Sequence, residues 1–294
     1  MSYEALFRSF THIQPLGTGR IVELFRAADR LTGRAVFLKV LKSEAADPAE
    51  RARFFHGAEL QSRVRHPNVL PVLDLLTEAD AAAIVMPFVP GGALQDALPA
   101  GIGLAFPLAA AYGQDLCAGV RAIHACGIVH GDLKPLNLLI SAEGRLKISD
   151  FGEARRIDEP LPAAPAAIVN GSPYYMPPEC ARGYAPVPAS DWYSVGAILY
   201  RIFCGRTVFE GQDAGTVMRA HVDETPPDPL RFRPDLPYQL AESILLLLSK
   251  DPAPRLKAAE RIGAVLAGSS REKTRNPQKI RAAVRQKSTI KDRK

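Results

Sequence analysis

The sequence predicts an α+β protein with two parts, a small β-rich N-terminal lobe and a larger α-helical C-terminal lobe. Three observations support this fold class. The first third alternates short apolar runs with glycine-rich turns, as strands and hairpins do. The segment "PFVPGG" (87–92) then interrupts the pattern. Beyond it, apolar residues recur at helical spacing over long stretches.

The N-terminal elements follow in order. "HIQPLGTGRIVELFRAADRLTGRAVFLKVL" (12–41) holds two apolar runs with glycine-rich turns, and "LTGR" indicates a hairpin. Residues 48–65 predict a helix that begins after Asp47 as N-cap, with Pro48 as its first residue. The segments "VLPVLDLL" and "AAAIVMPFV" predict two further strands.

The C-terminal part predicts three long helices, over Leu108–Ala125, Trp192–Phe203 and Gln239–Ser249. A loop rich in proline and alanine, "DEPLPAAPAAIVNGSP", lies between the first two. The stretch 97–114 contains no charge, but its prolines and glycines favour a loop entering a buried helix over a membrane span.

The net charge of +6 is concentrated at one end. The segment Ser269–Lys294 contains ten Lys and Arg against two acids, so the rest of the chain carries about −2. The basic character therefore belongs to a tail, and a nucleic-acid-binding core is not expected.

The four cysteines contain no C-x-x-C pair. This spacing argues against a zinc site or a disulfide framework and indicates a reducing compartment. The first residues lack the basic n-region and the long apolar run of a signal peptide, so we expect a cytoplasmic protein without one.

Two N-terminal features have weak individual signals. "LGTGRIVEL" (16–24) places Leu16, Gly17, Thr18, Gly19 and Leu24 around a turn whose N–H groups could bind phosphates, although an ordinary hairpin explains it equally simply. Lys39 in "AVFLKVL" is a cation in an apolar strand, a position that a solvated edge lysine often occupies.

The segment "HGDLKPLN" (130–137) has a stronger signal. It places a carboxylate (Asp132), an amine (Lys134) and an amide (Asn137) on one loop, and "DFG" supplies a further carboxylate, Asp150. Phosphoryl transfer from ATP needs these groups: Asp132 to orient a hydroxyl, Lys134 to meet the γ-phosphate, and Asn137 and Asp150 to hold Mg²⁺. The complete set in this order is a poor fit to chance.

The chain resembles the eukaryotic-type (Hanks-type) serine/threonine protein kinases, most closely the bacterial members. Besides the motifs above, the resemblance rests on these segments: "HPNVLPVLD" (66–74), "VMPFVPGGAL" (85–94), "GSPYYMPPE" (171–179), "SDWYSVGAILYRIFCGRTVFEG" (190–211) and "LLLLSKDPAPRL" (245–256).

This resemblance implies a bilobal protein-kinase fold with ATP between the lobes. The kinase domain would span 10–266, with an N-lobe at 10–86, a hinge at 87–89 and a C-lobe at 90–266. Residues 267–294 would form a basic tail or linker.

The resemblance also implies individual roles. Met86 would be the gatekeeper, and backbone groups of Pro87 and Val89 would bond adenine. Glu179 would pair with Arg255, and Asp191 would brace the catalytic loop. Lys134 in "DLKPLN" is the serine/threonine form of that loop, and Ser172 would face the substrate hydroxyl.

The chain departs from the family at five positions. Val22 replaces the third loop glycine. Phe37 replaces a small residue that usually lies above adenine, and its ring could fill the adenine site. Gly57 stands where a glutamate usually pairs with the strand lysine, and Gln61 replaces an apolar residue one turn later. Gly131 replaces the arginine that binds an activation-loop phosphate, which makes the loop of the non-RD kind.

Two functional hypotheses remain open. The first is an ATP- and Mg²⁺-dependent serine/threonine kinase acting on proteins, which explains the complete polar set. The second is a pseudokinase-type scaffold with impaired ATP binding, which explains Phe37 and Gly57. A small-molecule phosphotransferase is disfavoured by "GSPYYMPPE" and Arg255, which resemble a protein-substrate platform.

Regulation and partners follow from Gly131 and the loop sequence. Residues 151–171 contain no Ser, Thr or Tyr, so we expect control through the Phe54–Arg65 helix or a regulatory partner that docks on it. The basic tail is either a juxtamembrane segment, in which case the chain would be the cytoplasmic part of a membrane-anchored kinase, or a solvated polar tail.

Overall fold

The computed structural model describes residues 3–42, 46–78, 81–161 and 172–269. Its N-terminal lobe is a five-stranded antiparallel sheet of order β1-β2-β3-β5-β4 with two helices. The bounds of these elements are α1 Glu4–Phe7, β1 Phe10–Thr18, β2 Val22–Asp29, β3 Ala35–Leu41, α2 Pro48–Arg63, β4 Asp74–Glu78 and β5 Ala81–Pro87.

Alternation along β3 separates the two faces of this sheet. Val36, Leu38 and Val40 are buried in one apolar cluster with α1, while Leu41 belongs to the cluster beneath α2. Because successive strand side chains point to opposite faces, Lys39 lies on the α2 side, over the space between the lobes.

The helix α2 begins at Pro48 with Asp47 as N-cap, as predicted, and the N-cap is part of a capping box. The Asp47 carboxylate accepts from the amide of Glu50, and the Glu50 side chain accepts from the amide of Asp47. Leu60 and Val64 at its other end pack into the core of the C-terminal lobe. The helix therefore belongs to the N-lobe by sequence and contacts both lobes by packing.

The C-terminal lobe is mainly helical, and this confirms the predicted α+β fold class. Its elements are α3 Leu94–Ala97, α4 Phe106–Ala125, β6 Ile128–Val129, β7 Leu138–Ile140, β8 Leu146–Ile148, β9 Arg155–Arg156, α5 Pro178–Ala181, α6 Pro188–Cys204, α7 Ala214–Asp223, α8 Tyr238–Leu247 and α9 Pro252–Ser269. Within the described chain, no helix combines the length and hydropathy that a membrane crossing requires.

The helix α6 lies at the centre of this lobe and is buried along nearly its whole length, with α4, α8 and α9 packed around it. Two short antiparallel pairs, β6–β9 and β7–β8, lie on this helical layer. The loop 130–137 connects β6 to β7, and the DFG segment connects β8 to β9. The two pairs thus hold both polar motifs next to each other.

Candidate active site

A cavity of about 590 Å³ lies between the two lobes. Eight of the predicted site residues line it: Leu16, Leu24, Lys39, Met86, Pro87, Val89, Asn137 and Asp150. Other wall residues, including Leu70, Ile84 and Leu139, carry no motif by which they could have been predicted.

The predicted residues Gly17 and Thr18 end β1, and Gly19 lies in the turn that leads to β2; none of the three lines the cavity wall. The amide of Gly19 donates to the carbonyl of Val22 at 2.8 Å, and Lys42 Nζ donates to the carbonyl of Gly19 at 2.7 Å. Contacts with Val22 of β2 and with Lys42, which directly follows β3, therefore fix the position of Gly19.

Lys39 and Asp150 join the two lobes across the cavity. Lys39 Nζ lies 2.7 Å from Asp150 Oδ1. Burial opposes ionisation of Asp150, but the charge and hydrogen bond of Lys39 outweigh it, so the pKa of Asp150 lies below its usual value. Asp150 is also held at φ +62°, a conformation that few non-glycine residues adopt. The carboxylate is thus ionised and fixed in direction.

The loop 130–137 gathers the three predicted catalytic groups. Lys134 Nζ lies 2.5 Å from Asp132 Oδ2. Asn137 Nδ2 donates to the backbone carbonyl of Asp132 at 2.8 Å and to its Oδ2 at 3.2 Å. The Asp132 carboxylate therefore has a fixed orientation beside the cavity.

Asp191 braces this loop from below, as the resemblance implies. Its fully buried carboxylate accepts from the amides of His130 (2.8 Å) and Gly131 (2.9 Å) and bonds His124 Nε2 at 2.8 Å. Burial opposes its ionisation, yet these donors, first among them His124, keep the pKa of Asp191 below its usual value.

His130 ties the loop to the DFG segment. Its Nε2 lies 3.1 Å from the carbonyl of Ser149, and its Nδ1 accepts from the amide of Asp132 at 3.3 Å. These partners require the proton on Nε2. The ring also contacts Phe151, with centroids 4.9 Å apart. Ser149 accepts the bond from His130 with its backbone carbonyl, and its Oγ donates to the carbonyl of Asn137 at 3.0 Å, a role that the sequence analysis did not predict.

The two unusual residues of α2 have defined contacts. A Cβ on Gly57 would lie 2.5 Å from the carbonyl oxygen of Phe151, so the helix approaches the DFG backbone more closely than any side chain permits. Gln61 is buried and donates to the carbonyl of Leu70 at 2.8 Å. The nearest acid, Glu59, pairs with Arg63 at 2.5 Å. Asp150 is the partner of Lys39 instead.

Phe37 lies on the wall of the cavity and packs against the cluster that contains Met86. The two residues are also register partners on β3 and β5. The cavity is present with the Phe37 ring in place.

Gly131 is constrained by its backbone and by a neighbour. It has φ +79°, and a Cβ there would lie 2.6 Å from the carbonyl oxygen of Glu153. Burial, followed by the charge of Asp132, raises the pKa of the Glu153 carboxyl. The sequence analysis missed this third carboxylate, which follows the DFG segment directly.

The implied pair of Glu179 and Arg255 is present. The fully buried Arg255 donates from Nη1 and Nη2 to the two Glu179 oxygens at 2.7 and 3.0 Å, a bidentate arrangement. Ser190 Oγ donates to the same carboxylate at 2.5 Å. This pair connects α5 to α9.

The family model "Protein kinase domain" matches residues 10–264 of the chain. The chain is 36% identical over 263 residues to "Serine/threonine-protein kinase PknA" of Mycobacterium tuberculosis, which covers 86% of this chain and 60% of that protein. It is also 36% identical over 252 residues to "DNA damage-responsive serine/threonine-protein kinase RqkA" of Deinococcus radiodurans, covering 83% of this chain and 37% of that protein.

A third relative is "Probable serine/threonine-protein kinase CPE1738" of Clostridium perfringens, which is 32% identical over 85% of this chain and 36% of its own length. The chain thus spans three fifths or less of the length of these curated relatives. Similarity of this extent, together with the bilobal fold and its cleft, shows that the chain belongs to the protein kinase family, as a Hanks-type member similar to bacterial serine/threonine kinases.

Proposed function

We propose that this chain transfers the γ-phosphoryl group of ATP to Ser and Thr hydroxyls of protein substrates. The observation that carries the proposal is the loop 130–137, where Lys134 and Asn137 fix the Asp132 carboxylate beside the interlobe cavity. Phosphoryl transfer depends on positioning and electrostatics more than on covalent chemistry by the protein. A fixed carboxylate beside a nucleotide-sized cleft meets that requirement.

The cavity fits a nucleotide in size and in chemistry. Its walls combine apolar side chains, such as Leu24 and Leu139, with the Lys39 amine at one end. The base would lie between the apolar walls and bond backbone groups of Pro87 and Val89. Since proline has no N–H, Pro87 could offer only its carbonyl.

Asn137 and Asp150 are the residues that would hold Mg²⁺. In the described part of the chain, no cluster of three or more His, Cys, Asp or Glu could bind a metal by itself. Mg²⁺ is commonly held by one or two protein groups together with substrate phosphates, so this sparse set suits it. When bound, Mg·ATP would supply the transferable phosphoryl group.

The residues of the chain then have separate tasks. Asp132 would accept the hydrogen bond of the substrate hydroxyl and orient its oxygen. Lys134, which now bonds Asp132, would also face the transferred group and offset its charge. Lys39 would bind nucleotide phosphates from the opposite lobe. The Glu179–Arg255 pair and Ser172 would support the protein substrate.

The proposal includes domain limits and a mode of control. The kinase domain would span 10–266 with its hinge at 87–89; α9 reaches Ser269, and residues 270–294 of the predicted tail lie outside the described residues. Without the usual arginine at Gly131, activation would not need a loop phosphate. A regulatory partner would act on the helix predicted at Phe54–Arg65, which the structure gives as Pro48–Arg63.

The test is phosphoryl transfer to a mixed Ser/Thr peptide library. We expect Asp132→Asn and Asp150→Asn to lower the rate by about 100-fold or more, because each removes a charge at the reacting centre without changing side-chain volume. Asp158→Asn is the matched control, since that exposed carboxylate pairs with Arg156 on the surface. Transfer by Asp150→Asn at the parent rate would refute the proposal.

A further inference from the structure

The C-terminal lobe has a second concave surface, which we call the C-lobe groove. It is a cavity of about 590 Å³ bounded by the end of α7, the segment that follows it, α8 and the start of α9. It shares no lining residue with the interlobe cavity. Its apolar floor includes Leu230, Leu245 and Leu246, and Tyr238 stands at its side. Tyr238 and Leu246 are 41% and 44% exposed.

The rim of the groove is acidic. Asp223, Glu224, Asp228 and Glu242 are exposed and line it. Of these, Asp228 caps the amide of Leu230, while no ion pair to Asp223, Glu224 or Glu242 is found among the described residues. A positively charged segment that reaches this rim could therefore form ion pairs with these three carboxylates.

The one cation among the residues that line the groove, Lys250, is already engaged in contacts with the protein. Lys250 Nζ donates to the carbonyl of His221 at 2.6 Å and lies 4.7 Å from the centre of the Phe209 ring. Burial, followed by the charge of Arg255, lowers the pKa of Lys250 to about 8. Four carboxylates thus face a single amine that is already bonded to the end of α7.

A second concavity of about 680 Å³ runs between α8 and α9 and shares Glu242, Leu246 and Pro254 with the groove. It extends along α9 as far as Val265. The two concavities are therefore contiguous from Val265 of α9 to the groove, along a wall that also carries Lys257 and Arg261.

The chain beyond α9 has the charge that complements the rim. Residues 278–291, "QKIRAAVRQKSTIK", contain five cations and no acid, with the apolar residues Ile280, Val284 and Ile290 between them. From Pro254 to Ser269 the helix measures about 22 Å, at 1.5 Å per residue. An extended chain covers that distance in about seven residues, so residues from about 277 onward can reach the groove.

We propose that residues 278–291 bind in the C-lobe groove of their own molecule, with cations on the acidic rim and Ile280 and Val284 on the apolar floor. The interlobe cavity stays open in this arrangement, because the two surfaces share no residue. Docking holds the basic segment on the kinase and keeps it from anionic surfaces. Phosphate on Ser288 or Thr289 would weaken the contact by adding negative charge.

The experiment places a photo-crosslinking benzoylphenylalanine at position 284 of the full chain. We expect a crosslink to the segment 232–250, which contains Tyr238, Glu242 and Leu246, with a yield that is summed over all peptides of this segment in every variant and does not change on tenfold dilution. The double variant Glu224→Lys/Glu242→Lys should lower the yield by about tenfold, since two exposed attractions become repulsions. High salt should act in the same direction.

The matched control is Glu143→Lys/Glu260→Lys, which reverses two exposed glutamates of the same lobe outside the groove and should leave the yield unchanged. The tail variant Lys279→Glu/Arg281→Glu, made with an intact groove, should lose the crosslink and recover it when combined with the groove reversal. This exchange separates charge pairing from damage to the fold.

Three results would overturn the proposal. The first is a crosslink that disappears on dilution, which would assign the groove to a second copy of the chain. The second is an unchanged yield in the groove and tail variants. The third is no crosslink to 232–250 while the chain binds phosphatidylserine vesicles, which would assign the tail to a membrane surface.

Discussion

Gly57 lies where α2 passes closest to the backbone of Phe151. In most helix interiors, Gly→Ala stabilises by about 1 kcal/mol. At this position the new Cβ would lie 2.5 Å from a backbone oxygen, so helix and DFG segment must separate. At the position where the family usually has a glutamate, this chain therefore has a close backbone contact in place of the ion pair.

We predict that Gly57→Ala destabilises the chain by about 1–3 kcal/mol, in the range of other overpacked cores, and lowers the transfer rate. Urea unfolding and a peptide assay measure the two effects. Gly268→Ala in α9 is the matched control: nothing lies within 4 Å of its added Cβ, so stability should be equal or higher. Equal gains in both variants would contradict the close-contact interpretation.

Gly131 is constrained in a second way, by its positive φ. A side chain at φ +79° costs about 1–2 kcal/mol, and the carbonyl of Glu153 blocks the space that a Cβ would need. Restoring the family's arginine therefore disturbs the loop that carries Asp132.

We predict that Gly131→Ala and Gly131→Arg both lose most of their transfer activity, and that phosphatase treatment changes neither these variants nor the parent. Gly127→Ala is the control, because that glycine has a similar φ of +71° but open space around its Cβ. It should lose some stability and keep its rate. A parent rate that falls sharply after phosphatase would contradict control without a loop phosphate.

At the scale of elements, α7 is joined to α6 through His221. The Tyr193 hydroxyl lies 2.8 Å from His221 Nδ1, and both side chains are fully buried. Burial, followed by the charge of Lys250, lowers the pKa of His221 to about 3. Below pH 6.5 the unfolded chain therefore binds a proton that the folded chain does not.

The stability of the C-terminal lobe should accordingly fall as the pH drops from 6.5 toward 3, by up to about 1.4 kcal/mol per unit from this group. His221→Gln keeps an acceptor for Tyr193 without this titration. Urea unfolding at pH 6.5 and pH 5 should show a loss about 1.6 kcal/mol larger in the parent than in the variant. Equal losses would mean that His221 is protonated in the folded chain.

At the scale of the whole molecule, the sequence predicted the two lobes, the start of α2 and the residues of both polar motifs. These follow from local signals: capping residues, helical periodicity and ordered motifs. The pairing of Lys39 with Asp150, the contact of Gly57 with Phe151 and the third carboxylate at Glu153 depend on segments far apart in the chain. The C-lobe groove likewise forms only when α7, α8 and α9 pack together.

The two lobes meet at the Lys39–Asp150 ion pair and where Leu60 and Val64 pack into the C-terminal lobe. A ligand in the cleft that contacts both lobes should therefore stabilise the whole chain. A ligand at 100 times its Kd adds about 2.7 kcal/mol to the free energy of unfolding. We predict a gain of this size with Mg·ATP, measured by thermal unfolding. Lys39→Met should remove the gain, because its amine is the N-lobe cation in the cavity.

Two variants make this measurement specific. Lys147→Met removes a half-buried lysine outside the cavity that bonds the carbonyl of Pro67, and it should keep the gain in full. Asp132→Asn should also keep the gain while losing phosphoryl transfer, since Asp132 lies outside the cavity wall. Binding and chemistry would then be assigned to different residues of one site. If Mg·ATP stabilised neither the parent nor Asp132→Asn, the chain would be a scaffold that keeps the kinase fold without its nucleotide.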